Sequence, residues 1–259
     1  MLNKVRSIKI LNIILGTLKK RIELKLLKYN KKIMKKLNIK KEDFEQFILL
    51  KDMNIKFNLN IKDIDINELD LENKKLDNDI FEYLTKIKFN KLKVFNFRGN
   101  KMSDLKLLEK AKFENLEKLD LRENQISNID KLENVNFKGL KDLYLFKNKI
   151  SDIKVLEKVK FERLEILSLS ENNISNIDIL QKVNFKELKE LLLAKNKILD
   201  IKVLEKVKFE KLEILILNEN NISNIDILEK VKFKELKYLY LSQNKISDIK
   251  LLEKVKFEK

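Results

Sequence analysis

The 259-residue chain carries 57 Lys and Arg against 41 Asp and Glu, a net charge of +16, and 44% of its residues are apolar. That is enough apolar material for a large core and too much for a disordered tail. The chain has no Cys and no His, which removes disulfides, thiolate chemistry, Cys- or His-ligated metals and the commonest general base.

The basic excess lies at the start. Residues 1–50 hold 14 Lys and Arg against four acids, whereas residues 51–259 hold 43 against 37. The apolar run at residues 10–16 is too short to span a membrane. It contains Asn12 and is followed by Lys19, Lys20 and Arg21 instead of a small-residue cleavage site, so it reads as a helix and not as a signal peptide. Ser7 is placed to cap that helix, with Ile10, Ile14 and Leu18 on one face. A second helical pattern carries Leu24, Leu27, Ile33, Met34 and Leu37. A third starts near Lys41, with Glu42 and Asp43 in its first turn and Phe44, Phe47, Ile48 and Leu49 as its buried face. Residues 1–60 are therefore predicted to be a small, basic, all-α segment that caps the remainder of the chain. Its lysines, Lys19 to Lys41, give an alternative role in binding an anionic partner, nucleic acid or lipid, although Tyr29 is a lone aromatic among them and protein ranks ahead of both. The pattern I10-L11-x-x-I14-L15-x-x-L18 followed by L24-x-L26-L27-x-Y29 also resembles the F-box. Over residues 7–40 that resemblance implies docking onto the adaptor of a ubiquitin ligase, with the rest of the chain as substrate receptor.

Residues 61–259 form the second predicted domain. Within it L69-D-L71-E-N-K74-K-L76 is a worn copy of a motif that becomes regular later, so residues 63–88 read as an irregular first repeat of 26 residues. From Phe89 a 24-residue unit is written seven times, residues 89–256. Its leading Phe falls at Phe89, Phe113, Phe137, Phe161, Phe185, Phe209 and Phe233. Phe257 opens another copy that stops at Lys259, which suggests a piece of a longer array. Each copy contains L-x-x-L-x-L-x-x-N-x-I, for example Leu164, Leu167, Leu169, Asn172 and Ile174, with Phe95, Phe97 and Met102 replacing Leu or Ile in the first. L-x-L sets two apolar side chains on one side of a strand, which a lone strand cannot bury but a stack of copies can. The Asn, from Asn100 to Asn244, is expected to bond backbone groups of its own and the next copy at the turn. The segment after the turn, with Ile153, Leu156 and Val159 every three residues, suits about two turns of 3₁₀ or short α-helix capped by Ser151 or Asp152. The Phe positions form a second core ladder.

This motif resembles the leucine-rich repeat family, in its short intracellular type. The resemblance implies an α/β solenoid with a parallel sheet on the concave face and short helices or 3₁₀ turns on the convex face. The copies are two residues longer than the subclass they resemble, which suggests more convex helix. They also alternate, so the full unit is 48 residues, which reads as growth by duplication of pairs. The family works without enzymatic activity or cofactors by binding proteins on the concave face. No Gly-rich phosphate loop or His- or Cys-based catalytic pair argues otherwise. The positions around L-x-L vary between copies while the outer segments are nearly repeated. The early ones are charged, as at Arg98, Lys118, Asp120 and Arg122, and the later ones apolar. The candidate protein-binding residues are Tyr144, Phe146, Ile166, Leu192, Ile214, Ile216, Tyr238 and Tyr240. A chain without Cys suits a reducing setting, so the expected location is cytoplasmic or nuclear.

Overall fold

The computed structural model describes residues 40–231 and 233–248. The chain divides into two compact units, Met1–Ile61 and Lys62–Lys259.

In the first unit the described element is helix α1, Lys41–Phe57. It is longer than the sequence pattern predicts, and its buried stripe is Phe44, Phe47, Leu50 and Met53, with Gln46 beside it. Ile48 and Leu49, expected in that stripe, are half-buried. Steps of three along the helix keep 44, 47, 50 and 53 on one side, whereas 48 and 49 rotate away from it. The helix ends on Asn58, which takes the left-handed conformation (φ 52°) often filled by Gly. The Asn54 side chain then fixes the departing chain. Its Nδ2 donates to the Ile61 carbonyl at 2.8 Å and its Oδ1 accepts from the Ile61 N–H at 3.1 Å. The helical patterns before Lys40 lie outside the described residues.

The second unit is a solenoid. Eight strands of three residues each, β1 (Glu68–Asp70), β2 (Val94–Asn96), β3 (Lys118–Asp120), β4 (Asp142–Tyr144), β5 (Ile166–Ser168), β6 (Glu190–Leu192), β7 (Ile214–Ile216) and β8 (Tyr238–Tyr240), form one parallel sheet in sequence order. The register advances by one repeat per strand: Glu68 stands opposite Val94, a step of 26, and Val94 opposite Lys118, a step of 24. Pairing continues past the formal strands, since the Leu121 and Glu123 N–H groups donate to the Tyr144 and Phe146 carbonyls of the next coil.

In β1–β7 the middle residue and the one two positions on, Leu except for Phe95 and Phe97 of β2, point into the core, and from Leu69 to Leu217 none is more than 1% exposed. Phe89, Phe113, Phe137, Phe161, Phe185, Phe209 and Phe233 are buried at the other end of each coil. The first of them meet ring to ring, Phe89 with Phe113 at 6.3 Å and Phe113 with Phe137 at 6.5 Å.

The Asn ladder runs in the opposite direction from that expected. Asn124 Nδ2 donates to Phe97 O of the preceding coil and to Leu121 O and Arg122 O of its own, and its Oδ1 accepts from the Met102 N–H of the preceding coil. Asn148, Asn172, Asn196, Asn220 and Asn244 repeat this pattern. Each Asn thus fastens its coil to the one before it. In the first coil the position is Lys74, which is exposed.

The return segments take the 3₁₀ form, one of the two expected, but are shorter than two turns of α-helix. They are 3₁₀ turns of three to five residues, such as Lys154–Glu157, Asp178–Gln181 and Lys202–Glu205. Asp152 Oδ1 accepts from the Lys154 N–H, and in alternate copies Asn128, Asn176 and Asn224 do the same for the N–H two residues on. These side-chain turns start the 3₁₀ segments from just outside. Among the described residues only the first repeat holds a short α-helix, α2 (Phe81–Leu84), which accommodates its extra length. No helix among the described residues is long and apolar enough to cross a membrane.

Candidate functional site

With the middle residue of each strand in the core, the residues on either side of it face outward. With the residue two places past each strand, they form three columns across the sheet, and the columns change character along it. Over β1–β3 most outward side chains are polar or charged, and many are occupied with one another. Asn96 Nδ2 donates to Asp70 at 3.0 Å and to Glu72 at 3.2 Å. Arg98 donates from Nε and Nη2 to Glu123 Oε1 at 2.9 and 2.6 Å. Arg122 forks onto Asp120, whose side chain is 2% exposed, with Nε 2.8 Å from Oδ1. That bond pushes the Arg122 guanidinium above its usual range. The Arg122 guanidinium also lies over the Tyr144 ring at 5.1 Å, and Lys118 Nζ over the same ring at 5.0 Å. The early charges of the outward face are therefore largely neutralised in place.

From β4 onward the face is largely apolar, with Asp142, Glu190 and Asn218 set into it. Ile166 and Ile214 share one column and Leu192 and Ile216 the next, joined by the registers Ile166–Glu190–Ile214 and Leu192–Ile216–Tyr240. Ser168, in the column of Leu192, and Ser170, beyond it, are buried, and Ser170 Oγ accepts from the Ala194 N–H at 3.0 Å. The eight predicted residues all lie on this face, but their exposure is graded. Tyr238 and Tyr240 are 54% and 48% exposed, their rings stacked at 6.4 Å. Tyr144, Phe146, Ile166, Leu192, Ile214 and Ile216 are half-buried. Parallel strands lie about 4.8 Å apart, so side chains of one column cover each other's flanks. β8 is the last described strand, and among the described residues only β7 lies beside its tyrosines.

Two ladders of alternating charge border the face. Just before the strands run Lys93, Glu117, Lys141, Glu165, Lys189, Glu213 and Lys237. Glu117 is held between Lys93 at 2.7 Å and Lys141 at 2.9 Å, Lys189 meets Glu165 at 2.6 Å and Lys237 meets Glu213 at 2.6 Å. The two lysines hold the Glu117 carboxyl down at about 2. Just after the strands run Glu123, Lys147, Glu171, Lys195 and Glu219, joined by Lys147–Glu123 at 3.5 Å, Lys195–Glu171 at 2.9 Å and Lys195–Glu219 at 3.8 Å. All five have positive φ of 53–56°. Nothing in the residue types signals this conformation, because Glu and Lys seldom take it. Sequence reasoning also passed over Leu199, 62% exposed in a return segment where other copies have Ser.

On the opposite side, the grooves between successive 3₁₀ turns recur from copy to copy, lined by residues such as Asp178, Lys202, Lys206 and Asp226. They are a product of the repeat. Among the described residues no group of acidic side chains is placed to hold a metal ion. The F-box-like run falls outside the described residues but for Lys40, as do the lysines before it.

A family model described as Leucine Rich repeats (2 copies) matches residues 90–134, 114–158 and 210–254. No curated protein sequence matches the chain. Among solved structures the chain is similar to internalin C2 of Listeria monocytogenes, with a TM-score of 0.63 and 24% identity over 80% of this chain and 88% of that one. It is also similar to the functional domain of InlJ from Listeria monocytogenes, with a TM-score of 0.51 and 19% identity over 76% of this chain and 44% of that one. The PEPR1–AtPEP1 structure gives a TM-score of 0.53 and 22% identity over 70% of this chain and a quarter (25%) of that one. At these identities the likeness is one of fold.

Proposed function

Because this chain is a leucine-rich repeat protein, we propose that it is a non-enzymatic protein-binding module whose partner seats on the outward, concave face of the sheet. The observation that carries this reading is the contrast between faces. The core positions are Leu, Phe, Ile and Asn in copy after copy, whereas the outward positions of β4–β8 differ in each. They present Phe146, Ile166, Leu192, Ile214, Ile216, Tyr238 and Tyr240 where a solvated sheet needs only polar residues. Aromatic and aliphatic side chains flanked by polar borders have the make-up of an interface core with its rim. The early half supports the same division, since its charges are spent on internal pairs. Residence in the cytoplasm belongs to the proposal and rests on the absence of Cys.

The test replaces Ile216 with Lys and Tyr238 and Tyr240 with Ser together, and compares the proteins captured by mass spectrometry with those captured by the parent chain. The expected result is loss of the captured set with an unchanged melting profile. An unchanged set from a folded variant removes the outward face from the function.

A further inference from the structure

Two carboxylates stand apart within the apolar half of the face. Asp142 on β4 and Glu190 on β6 are half-buried, and among the described residues neither side chain has a hydrogen bond or an ion pair. Their neighbours are taken: Asp120 by Arg122, Glu165 by Lys189, Glu171 by Lys195 and Glu213 by Lys237. Burial pushes the Asp142 carboxyl above its usual range even with Lys118 and Lys141 nearby. A carboxylate in that state gains most from a cation delivered with a surface that excludes water. The two lie in one column, in the register Asp142–Ile166–Glu190. Two strand spacings put them roughly 10 Å apart. An α-helix advances about 10.5 Å in seven residues and returns to the same face. Ile166 lies between the two acids, and Leu192 and Ile216 run alongside in the next column.

We propose that the partner is a basic amphipathic helix lying across the strands, with its apolar stripe on Ile166, Leu192, Ile214 and Ile216 and two Lys or Arg residues, seven positions apart, on Asp142 and Glu190. This inference rests on the outward face being the binding surface. It names a partner that the chain's bulk charge does not favour, since a net charge of +16 attracts acidic peptides. A preference for basic ones must arise locally.

The test is selection of displayed random 20-residue peptides on the full chain. It is repeated on the variant with Asp142→Asn and Glu190→Gln and on the variant with Ile214→Ser and Ile216→Ser, each shown to be folded by circular dichroism. The expected winners on the parent carry a helical apolar stripe with Lys or Arg at a spacing of seven, and as synthetic peptides they bind the Asn/Gln variant at least about tenfold more weakly. Winners that are acidic, uncharged or basic at the three-residue spacing of an extended strand overturn the proposal, as does the absence of any enrichment. So do winners that bind the Asn/Gln variant as tightly as the parent. Undiminished binding to the Ser variant is a different failure, because it removes the outward face itself. Failure of the charge results alone leaves that face in place.

Discussion

The Asn ladder is where a single side chain carries most. Asn172 Nδ2 donates to Leu145 O, Leu169 O and Ser170 O at 3.0–3.1 Å, and Oδ1 accepts from the Ile150 N–H at 2.9 Å, all inside the coil. Asn172→Ala leaves the buried Ile150 N–H without its acceptor, while Leu145 O, Leu169 O and Ser170 O keep the donors Asn148 Nδ2, Asn196 Nδ2 and the Lys147 N–H, so it should cost about 1–3 kcal/mol in urea unfolding. Asn172→Asp keeps the acceptor but turns three donations into contacts between oxygens, so it should be at least as damaging. If Asn172→Asp unfolds at the same urea concentration as the parent, the bonds to the preceding coil are not what the ladder supplies. Much at this scale was legible in the sequence. An Asn among leucines at a fixed place in every copy demands a buried hydrogen-bonding role, and Leu167 or Leu169 demands a core. The direction of the Asn bonds was not legible, because a repeat looks the same from either neighbour. Nor was the left-handed backbone at Glu123, Lys147 and Glu171, since residue type signals that conformation only when it is Gly or Asn.

At the scale of the element, strands and 3₁₀ turns are too short to hold themselves together, and neighbours decide their stability. Glu117, just ahead of β3, shows this. It bridges Lys93 of the coil before and Lys141 of the coil after, and its carboxyl is held at about 2 against an ordinary 4.5. Because the folded value is the lower one, the stabilisation is fully present above the ordinary carboxylate range and is lost as pH falls through about 2. Glu213 and Glu187 are lowered by Lys237 and Lys211 in the same way. Stability should therefore fall between about pH 4.5 and about pH 2, and Glu117→Gln should flatten that fall. Each pair is open to solvent, so the effect of one substitution is small and is read as a slope across pH. An identical acid profile for parent and Glu117→Gln would mean that these bridges do not form. The strands were legible because L-x-L has a two-residue period. The return segments were legible as 3₁₀ or short helix but not as one of the two, because a three-residue spacing fits both a two-turn helix and one 3₁₀ turn flanked by extended chain. The apolar half of the face was legible from the outward positions, but its graded exposure depends on how neighbouring strands cover each other.

At the scale of the whole molecule, the stacking explains the 48-residue unit better than its history does. In a strict 24-residue repeat, identical charges would lie beside each other in adjacent coils at about 4.8 Å. Alternation puts Lys beside Glu on both borders of the sheet. Parity is then a structural property of the array, and deletion can expose it. Removing residues 161–184 keeps the Phe, Leu and Asn framework but brings Lys141 beside Lys189 and Lys147 beside Lys195. Removing residues 161–208 shortens the array further, yet brings Lys141 beside Glu213 and Lys147 beside Glu219. Stability in a stacked array falls with every copy lost, so the informative quantity is the response to salt. Raising NaCl from about 0.05 to about 0.5 M screens neighbouring surface charges. Screening removes repulsion in the 24-residue deletion and attraction in the parent. The melting temperature of the 24-residue deletion should thus rise with salt relative to the parent, while the 48-residue deletion follows the parent. Surface pairs are individually weak, and the two junction mismatches together set the size of the difference. Equal salt slopes in the two deletions would return the alternation to an accident of duplication.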